Sequence, residues 1–315
     1  MERHVKESGG AELVGDPVLV DCPSPCVIPD APDAWIFHYT NVETLRKILE
    51  NRTLRFSRVD VMDDAQEAKA FPGELAKKFY ASCWTTQDSE GPGEWRSFYT
   101  RRDEDQSQRV RIAIRRKPFL YRLQGVRSQD GRLNLLDPSM AKPFQFQDMH
   151  SDEYSVSAMN MTLEAWFGRQ VSYVDEIEQF YRERIRVDSS GGLTLERVQD
   201  FATHKEKAWR FQSEYRFVLM AGPRIWGAGV DDLSSMGTGE TLTRILGEAD
   251  AIKTCRFPAN EFIDMPLNME AIADMKVLLG PLFDPAKVCE VKEFVRACCP
   301  AAEVCVSKFT GKMVL

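Results

Sequence analysis

Histidine is scarce, with four in 315 residues and no two close together, so a metal site would have to lean on cysteine. The eight cysteines, at 22, 26, 83, 255, 289, 298, 299 and 305, form no repeated Cys-x-x-Cys. Cys22-Pro-Ser-Pro-Cys26 has metal-like spacing but no second pair near it, so no metal is expected and the thiols are read as free. No hydrophobic run approaches the roughly 18 residues of a membrane span. The opening MERHVKESGGAELV lacks the apolar centre of a signal peptide. A cytoplasmic protein without a membrane partner is expected. Neither G-x-G-x-x-G nor G-x-x-x-x-G-K-[ST] occurs, which excludes the two commonest phosphate loops. Positive charge is not in excess either. A net charge of −7 argues against a protein that coats nucleic acid without specificity, because such binding rests on phosphate neutralisation.

What is present is an ordinary globular composition, 43% hydrophobic and 28% charged, with length enough for one large core. Residues 1–33 are polar and proline-rich and read as a flexible arm or lid. From 34 to 315 a single α+β domain is expected, since short strands interleave with helices at irregular spacing and no internal repeat occurs. Trp35–Tyr39 reads as a strand, and Thr40-Asn-Val-Glu43 as a capping box for a helix that buries Leu45, Ile48 and Leu49. Further strands are expected at Thr53–Ser57, Phe79–Thr86, Arg109–Arg116, Gln170–Val174, Met275–Leu279 and Val304–Phe309. Helices are expected from Glu94 to Tyr99, near Thr162–Phe167, over Asp175–Arg186 and Leu193–Ala202, from Thr241, and from Asp284-Pro285 to about Cys298. Between Glu94 and Lys117 there are eight basic and four acidic residues, and alternation turns Arg109, Arg111 and Arg115 outward as a cationic strand face.

His204–Met220, HKEKAWRFQSEYRFVLM, is the stretch richest in chemistry. From Ser213 it alternates, with Glu214, Arg216 and Val218 on one face and Tyr215, Phe217 and Leu219 on the other. A carboxylate and a guanidinium two residues apart on a stiff strand suit a preorganised site. They equally suit an edge strand whose charges face water and pair across.

Several segments together resemble one family. His38-Tyr39-Thr40 is similar to the opening of the DUF2971 family. Phe56-Ser57 with Met62-Asp63-Asp64 resembles its F-S … N-D-P-x-E segment, without the usual Asn and Pro. Ser82-Cys83-Trp84-Thr85 with Trp95-x-x-x-Tyr99 resembles C-F-S … M-W-x-x-Y. Lys205 with Trp209-Arg-Phe-Gln-Ser-Glu214-Tyr-Arg216 resembles K-x-x-x-W-x-x-E-x-E-x-R, with Gln212 in place of the first Glu. Leu278-Leu-Gly-Pro281 and Val306-Ser-Lys308 are similar to its C-terminal I-L-G-P and S-K. The likeness runs from about residue 35 to 309.

The family's H-x-T and E-x-E strands in turn look like the His-Tyr-Glu branch of the ADP-ribosyltransferase superfamily. That more distant resemblance implies a split, mixed or antiparallel sheet flanked by helices. It also implies NAD as substrate and transfer of ADP-ribose to a macromolecular acceptor, RNA, DNA or protein, as in a bacterial toxin or anti-phage effector. Glu214, His38 and Tyr99 become the catalytic candidates. Glu214 would face the positive charge that grows on the ribose as the nicotinamide leaves. Gln212, two residues earlier, would help select the acceptor. His38, on a strand face with Ile36 and Thr40, would donate one ring nitrogen to a ribose hydroxyl while the other accepts from the backbone or Thr40. Trp95 and Tyr99, at i and i+4, would flank the nicotinamide, and Arg96, Arg111 and Lys205 would serve the pyrophosphate. Without the resemblance each has a plainer role: a hydrogen-bonded core histidine, an aromatic core pair, and cations paired with the chain's carboxylates. Trp209 and Arg216 would then only buttress the strand. An NAD glycohydrolase and a non-catalytic binding module are the alternatives, the latter suggested by the charge lost at Gln212.

Overall fold

The computed structural model describes residues 17–23, 34–99, 106–128, 142–157, 167–187, 193–223 and 257–313. Its strands are β1 (Pro17–Pro23), β2 (Trp35–Asn41), β3 (Thr53–Arg58), β4 (Phe79–Thr85), β5 (Arg109–Arg115), β6 (Arg122–Ser128), β7 (Tyr154–Val156) and β8 (Gly168–Gln170). They continue as β9 (Ser172–Val174), β10 (Ile185–Val187), β11 (Leu193–Leu195), β12 (His204–Glu206), β13 (Glu214–Pro223), β14 (Phe262–Pro266), β15 (Lys276–Leu279) and β16 (Glu303–Val306). The helices are α1 (Val42–Asn51), α2 (Ala65–Ala70), α3 (Pro92–Tyr99), α4 (Phe146–Met149), α5 (Ile177–Arg182) and α6 (Val288–Cys298).

Ten strands join in one mixed sheet, in the order β14-β3-β4-β2-β5-β15-β16, with β13 along the other edge of β4 and β7 and β8 outside β13. The α+β expectation therefore holds. The sheet is opened at β4. One edge of β4 pairs with β13 along its whole length, from Phe79↔Met220 to Thr85↔Glu214. The opposite edge is shared: β3 takes Tyr80 and Ala81, β2 takes Thr85, and neither pairs with Ser82 to Trp84.

Register divides the side chains between two faces. One face carries Ile36, Ile112, Val277, Trp84, Tyr215, Phe217, Phe56 and Ile263, and with α1 and α6 it forms the largest buried cluster. Gly168 sits against this cluster because a Cβ there would lie 2.6 Å from the Tyr215 hydroxyl and 2.7 Å from the Phe217 ring. The other face mixes apolar and charged groups. Val218, Met220 and Ala81 pack there with Phe71, Ile177 and Tyr181, while Arg109, Arg111, Glu214 and Arg216 share the same surface.

Local chemistry explains most boundaries. Leu45, Ile48 and Leu49 are the buried stripe of α1, as the spacing predicts, but its N-cap is Asn41, one residue beyond Thr40, with Oδ1 accepting from the Thr44 N–H at 2.8 Å. Thr40 stays in β2 with its side chain buried. Pro17–Pro23, within the expected arm, pairs antiparallel with β6. The helix expected over Asp175–Arg186 stops at Arg182, and β-branched Ile185 and Val187 enter β10 instead. Leu193–Ala202 is not a helix: Leu193–Leu195 completes a hairpin with β10, and a 3-10 turn, Val198–Asp200, follows. The helix expected from Thr241 lies outside the described residues, as does that near Thr162–Phe167 up to residue 166.

Two expectations about exposure are corrected. β13 is not an edge strand, because β4 covers one side and β8 and β7 the other, so Glu214 and Arg216 are buried. Arg109 and Arg111 do not form an outward cationic face. The loop after β4 lies over this part of the sheet, and the Arg111 guanidinium stacks 3.9 Å from the Phe37 ring and donates to the carbonyls of Gln87 and Asp88 at 3.1 and 2.6 Å. Among the described residues no helix is long and apolar enough to cross a membrane.

Candidate active site

Glu214 is the first residue of β13, entered through Ser213 in the left-handed region at φ 44°. Its backbone N–H donates to the Tyr173 hydroxyl at 2.9 Å, which ties the strand start to β9. Its carboxylate is engaged on both oxygens. Arg216 Nε donates to Oε1 at 2.6 Å, and Lys205 Nζ lies 2.9 Å from Oε2. The same lysine donates to Gln212 Oε1 at 3.1 Å.

Arg216 reaches the other way to Glu67, Nη1 to Oε1 and Nη2 to Oε2, the latter at 2.8 Å. It also donates from Nη1 to the Ala202 carbonyl at 2.9 Å and from Nη2 to Glu214 Oε2 at 3.3 Å. A guanidinium has five N–H donors, and these contacts use all of them. Two carboxylates and two cations thus balance in the interior, where relative exposure is 0% for Arg216, 1% for Glu67, 2% for Lys205 and 4% for Glu214. Glu67 arrives by local design: Asp64 caps α2 by accepting from the N–H groups of Gln66 and Glu67, at 3.0 and 3.2 Å, which anchors the turn that carries Glu67.

Burial alone would push the Glu214 carboxyl up, but Arg216 and then Lys205 outweigh it and hold it at about 2. Lys205 and Arg216 stay charged, since the two carboxylates overcome the burial that disfavours each cation. Cys83, opposite Arg216 on β4, has its thiol pushed well up by burial and then by Glu214, so it remains protonated. Ion networks this deeply desolvated contribute little net stability compared with an apolar packing of the same volume, which makes them candidates for a functional site.

The sequence-derived residues divide into three groups. Lys205, Gln212 and Glu214 come together. His38 does not join them: Phe37, Thr85 and Glu214 form one row across the sheet, so His38 shares the opposite face with Trp84, whose ring centroid lies 5.3 Å away. Its Nδ1 faces the Cys83 carbonyl at 3.0 Å, in the stretch of β4 that neither β2 nor β3 pairs. Burial lowers its pKa, partly offset by that bond. The neutral ring therefore donates through Nδ1 and keeps Nε2 as an acceptor, the reverse of the donor role expected for a ribose hydroxyl. Thr40 is buried on the His38 face.

Trp95 is fully enclosed, edge-on to Tyr39 at 4.8 Å, with Nε1 donating to Glu90 Oε1 at 2.8 Å. Ser307 also binds that carboxylate, so this corner is a clamp between α3 and the C-terminal turn. Arg96 is exposed on α3, and Tyr99 ends that helix with its side chain outside the described residues. Glu67, Tyr173 and Ala202 were missed. Asp64 signals the start of the short helix that carries Glu67, but nothing local in the sequence pairs that carboxylate with Arg216. Among the described residues no group of three or more His, Cys, Asp or Glu side chains is placed to hold a metal ion.

No protein-family model, no curated protein and no solved structure matches the chain.

Proposed function

We propose that the chain is an NAD-consuming enzyme of the ADP-ribosyltransferase type, with Glu214 as its working carboxylate and a macromolecule as acceptor. One observation carries the reading: Glu214 is held ionised, at about 2, by Lys205 and Arg216 beside the amide of Gln212. Breaking the bond between the ribose and nicotinamide sends the electron pair to the ring and leaves positive charge on the sugar. A fixed negative charge beside that carbon lowers the barrier, and an acceptor lone pair then forms the new bond to it as the acceptor's proton passes to water. The order β2-β4-β13, opened where β2 and β3 part, is in keeping with a split sheet. His38 enters this reading as a residue that fills the opening and fixes β4, not as a group on the same ribose.

A non-catalytic binding module is the second reading, favoured by the fact that both Glu214 oxygens are already engaged. Catalysis requires Lys205 and Gln212 to give way to substrate. Incubation with NAD labelled in the adenosine part, separately with RNA, single-stranded DNA and cell lysate, tests the proposal. The expected result is label in one acceptor class with matching nicotinamide release. Absence of turnover together with no rise in melting temperature on adding NAD would leave the binding module.

A further inference from the structure

Behind Arg216, a separate group of guanidinium side chains gathers on one carboxylate. Asp200 closes the 3-10 turn Val198–Asp200 and is almost completely buried. Arg197 Nε lies 3.1 Å and Arg184 Nε 3.4 Å from its Oδ2, and Arg169 Nη2 lies 3.7 Å from its Oδ1. Each arginine is placed by a different element. Arg169 stands on β8 beside Arg216 of β13 and donates from Nη1 to the Gln199 carbonyl at 3.1 Å. Arg184 follows α5, stacked 3.6 Å from the Phe180 ring centroid and donating to the Phe180 carbonyl at 3.0 Å. Arg197 starts the turn in the left-handed region at φ 55°, a conformation unusual for a non-glycine residue.

Among the described residues the charges here do not balance. Three cations meet one buried carboxylate, and among those residues their further contact with an acid is that of Arg184 with the exposed Glu183 at 3.9 Å. The neighbouring Arg186 is already matched by Glu196 at 2.6 Å, and Arg216 by Glu67 and Glu214. Asp200 is too small an acceptor for three guanidinium forks, since a carboxylate offers about four lone-pair sites. Its burial instead fits it to hold the forks apart and in place, so that they need little ordering when an anion arrives. Arg169 and Arg184 are partly open to solvent, and the Arg197 side chain is 65% exposed. Planar forks at fixed spacing suit the tetrahedral oxygens of phosphate. Lys205 and Arg111, two of the cations first expected to bind phosphate, are by contrast already committed within the fold.

We propose that Arg169, Arg184 and Arg197, set in place by Asp200, bind a phosphate group of a nucleotide or of a nucleic-acid backbone. The site stands on its own geometry and does not depend on the role of Glu214. Its test is calorimetric titration of the full chain with inorganic pyrophosphate at low salt, and anisotropy titration with a single-stranded oligonucleotide. Arg197→Gln, Arg197→Glu and Arg197→Lys are compared with the wild type. The exposed position keeps these variants folded, which circular dichroism verifies. Pyrophosphate binding is expected to weaken about tenfold in Arg197→Gln and further in Arg197→Glu, with partial recovery in Arg197→Lys. If the source is nucleic acid, oligonucleotide binding falls in parallel and its log–log salt slope drops by about one. If it is a free nucleotide, only the pyrophosphate response appears. Failure of both ligands to bind, or equal binding by Arg197→Glu and the wild type, overturns the assignment.

Discussion

Arg216→Met is expected to lower the unfolding free energy by about 3–5 kcal/mol at neutral pH. Methionine keeps much of the volume and removes the donors that satisfy Glu67, Glu214 and the Ala202 carbonyl. Lys205 alone then faces two buried carboxylates, and it lies 2.9 Å from only one of them. Denaturant unfolding measures the loss. Arg55→Met provides the contrast. That arginine also makes two bonds to one carboxylate, at 2.9 and 2.8 Å to Asp264, but its side chain is half exposed and water replaces the partner. Its loss is expected to stay within about 1 kcal/mol. Equal small losses in the two variants would mean that the Arg216 network is reached by solvent.

Acid is expected to remove much of the same stabilisation. The Glu214 carboxyl sits at about 2 in the folded chain against an ordinary 4.5, so the folded state favours the ionised form. A depressed carboxyl contributes stability that is full above the unfolded value and is lost as pH falls through the folded one. The window is therefore from about pH 5 down to about pH 2, and the amount is about 3 kcal/mol. Glu214→Gln lacks that ionisation, so its stability curve should lie below the wild type at pH 7 and converge with it towards pH 2. Parallel curves across that range would show that Glu214 titrates alike in the folded and unfolded chain.

The secondary structure near the site was largely legible because it is set locally. Alternation marked β5 and β13, short strand-like runs rich in aromatics marked β2 and β4, and the Leu45, Ile48 and Leu49 stripe marked α1. Which face of β5 and β13 met solvent was not legible, since period-two alternation assigns two faces but not their cover. Arg111 and Glu214 look like solvated strand charges in the sequence, and only the loop after β4 and the strands beside β13 decide otherwise. Lys205, Gln212 and Glu214 lie within ten residues, so their meeting followed from proximity. Glu67 comes from a helix 147 positions earlier in the chain than Glu214, and no local pattern announces that contact. His38 was singled out by a motif, yet strand register places it across the sheet from Glu214.

Nicotinamide release from NAD, measured side by side for the wild type, Glu214→Gln and Glu67→Gln, tests the central role given to Glu214. Both variants take one carboxylate from the same arginine, and Glu214→Gln also takes the partner of Lys205, so turnover is compared at a temperature where both variants are folded; only one removes the charge assigned to the reacting ribose. Glu214→Gln is expected to lower turnover at least about a hundredfold, with Glu67→Gln within about tenfold of the wild type. Equal losses in the two variants would contradict the assignment and make the whole cluster a structural support.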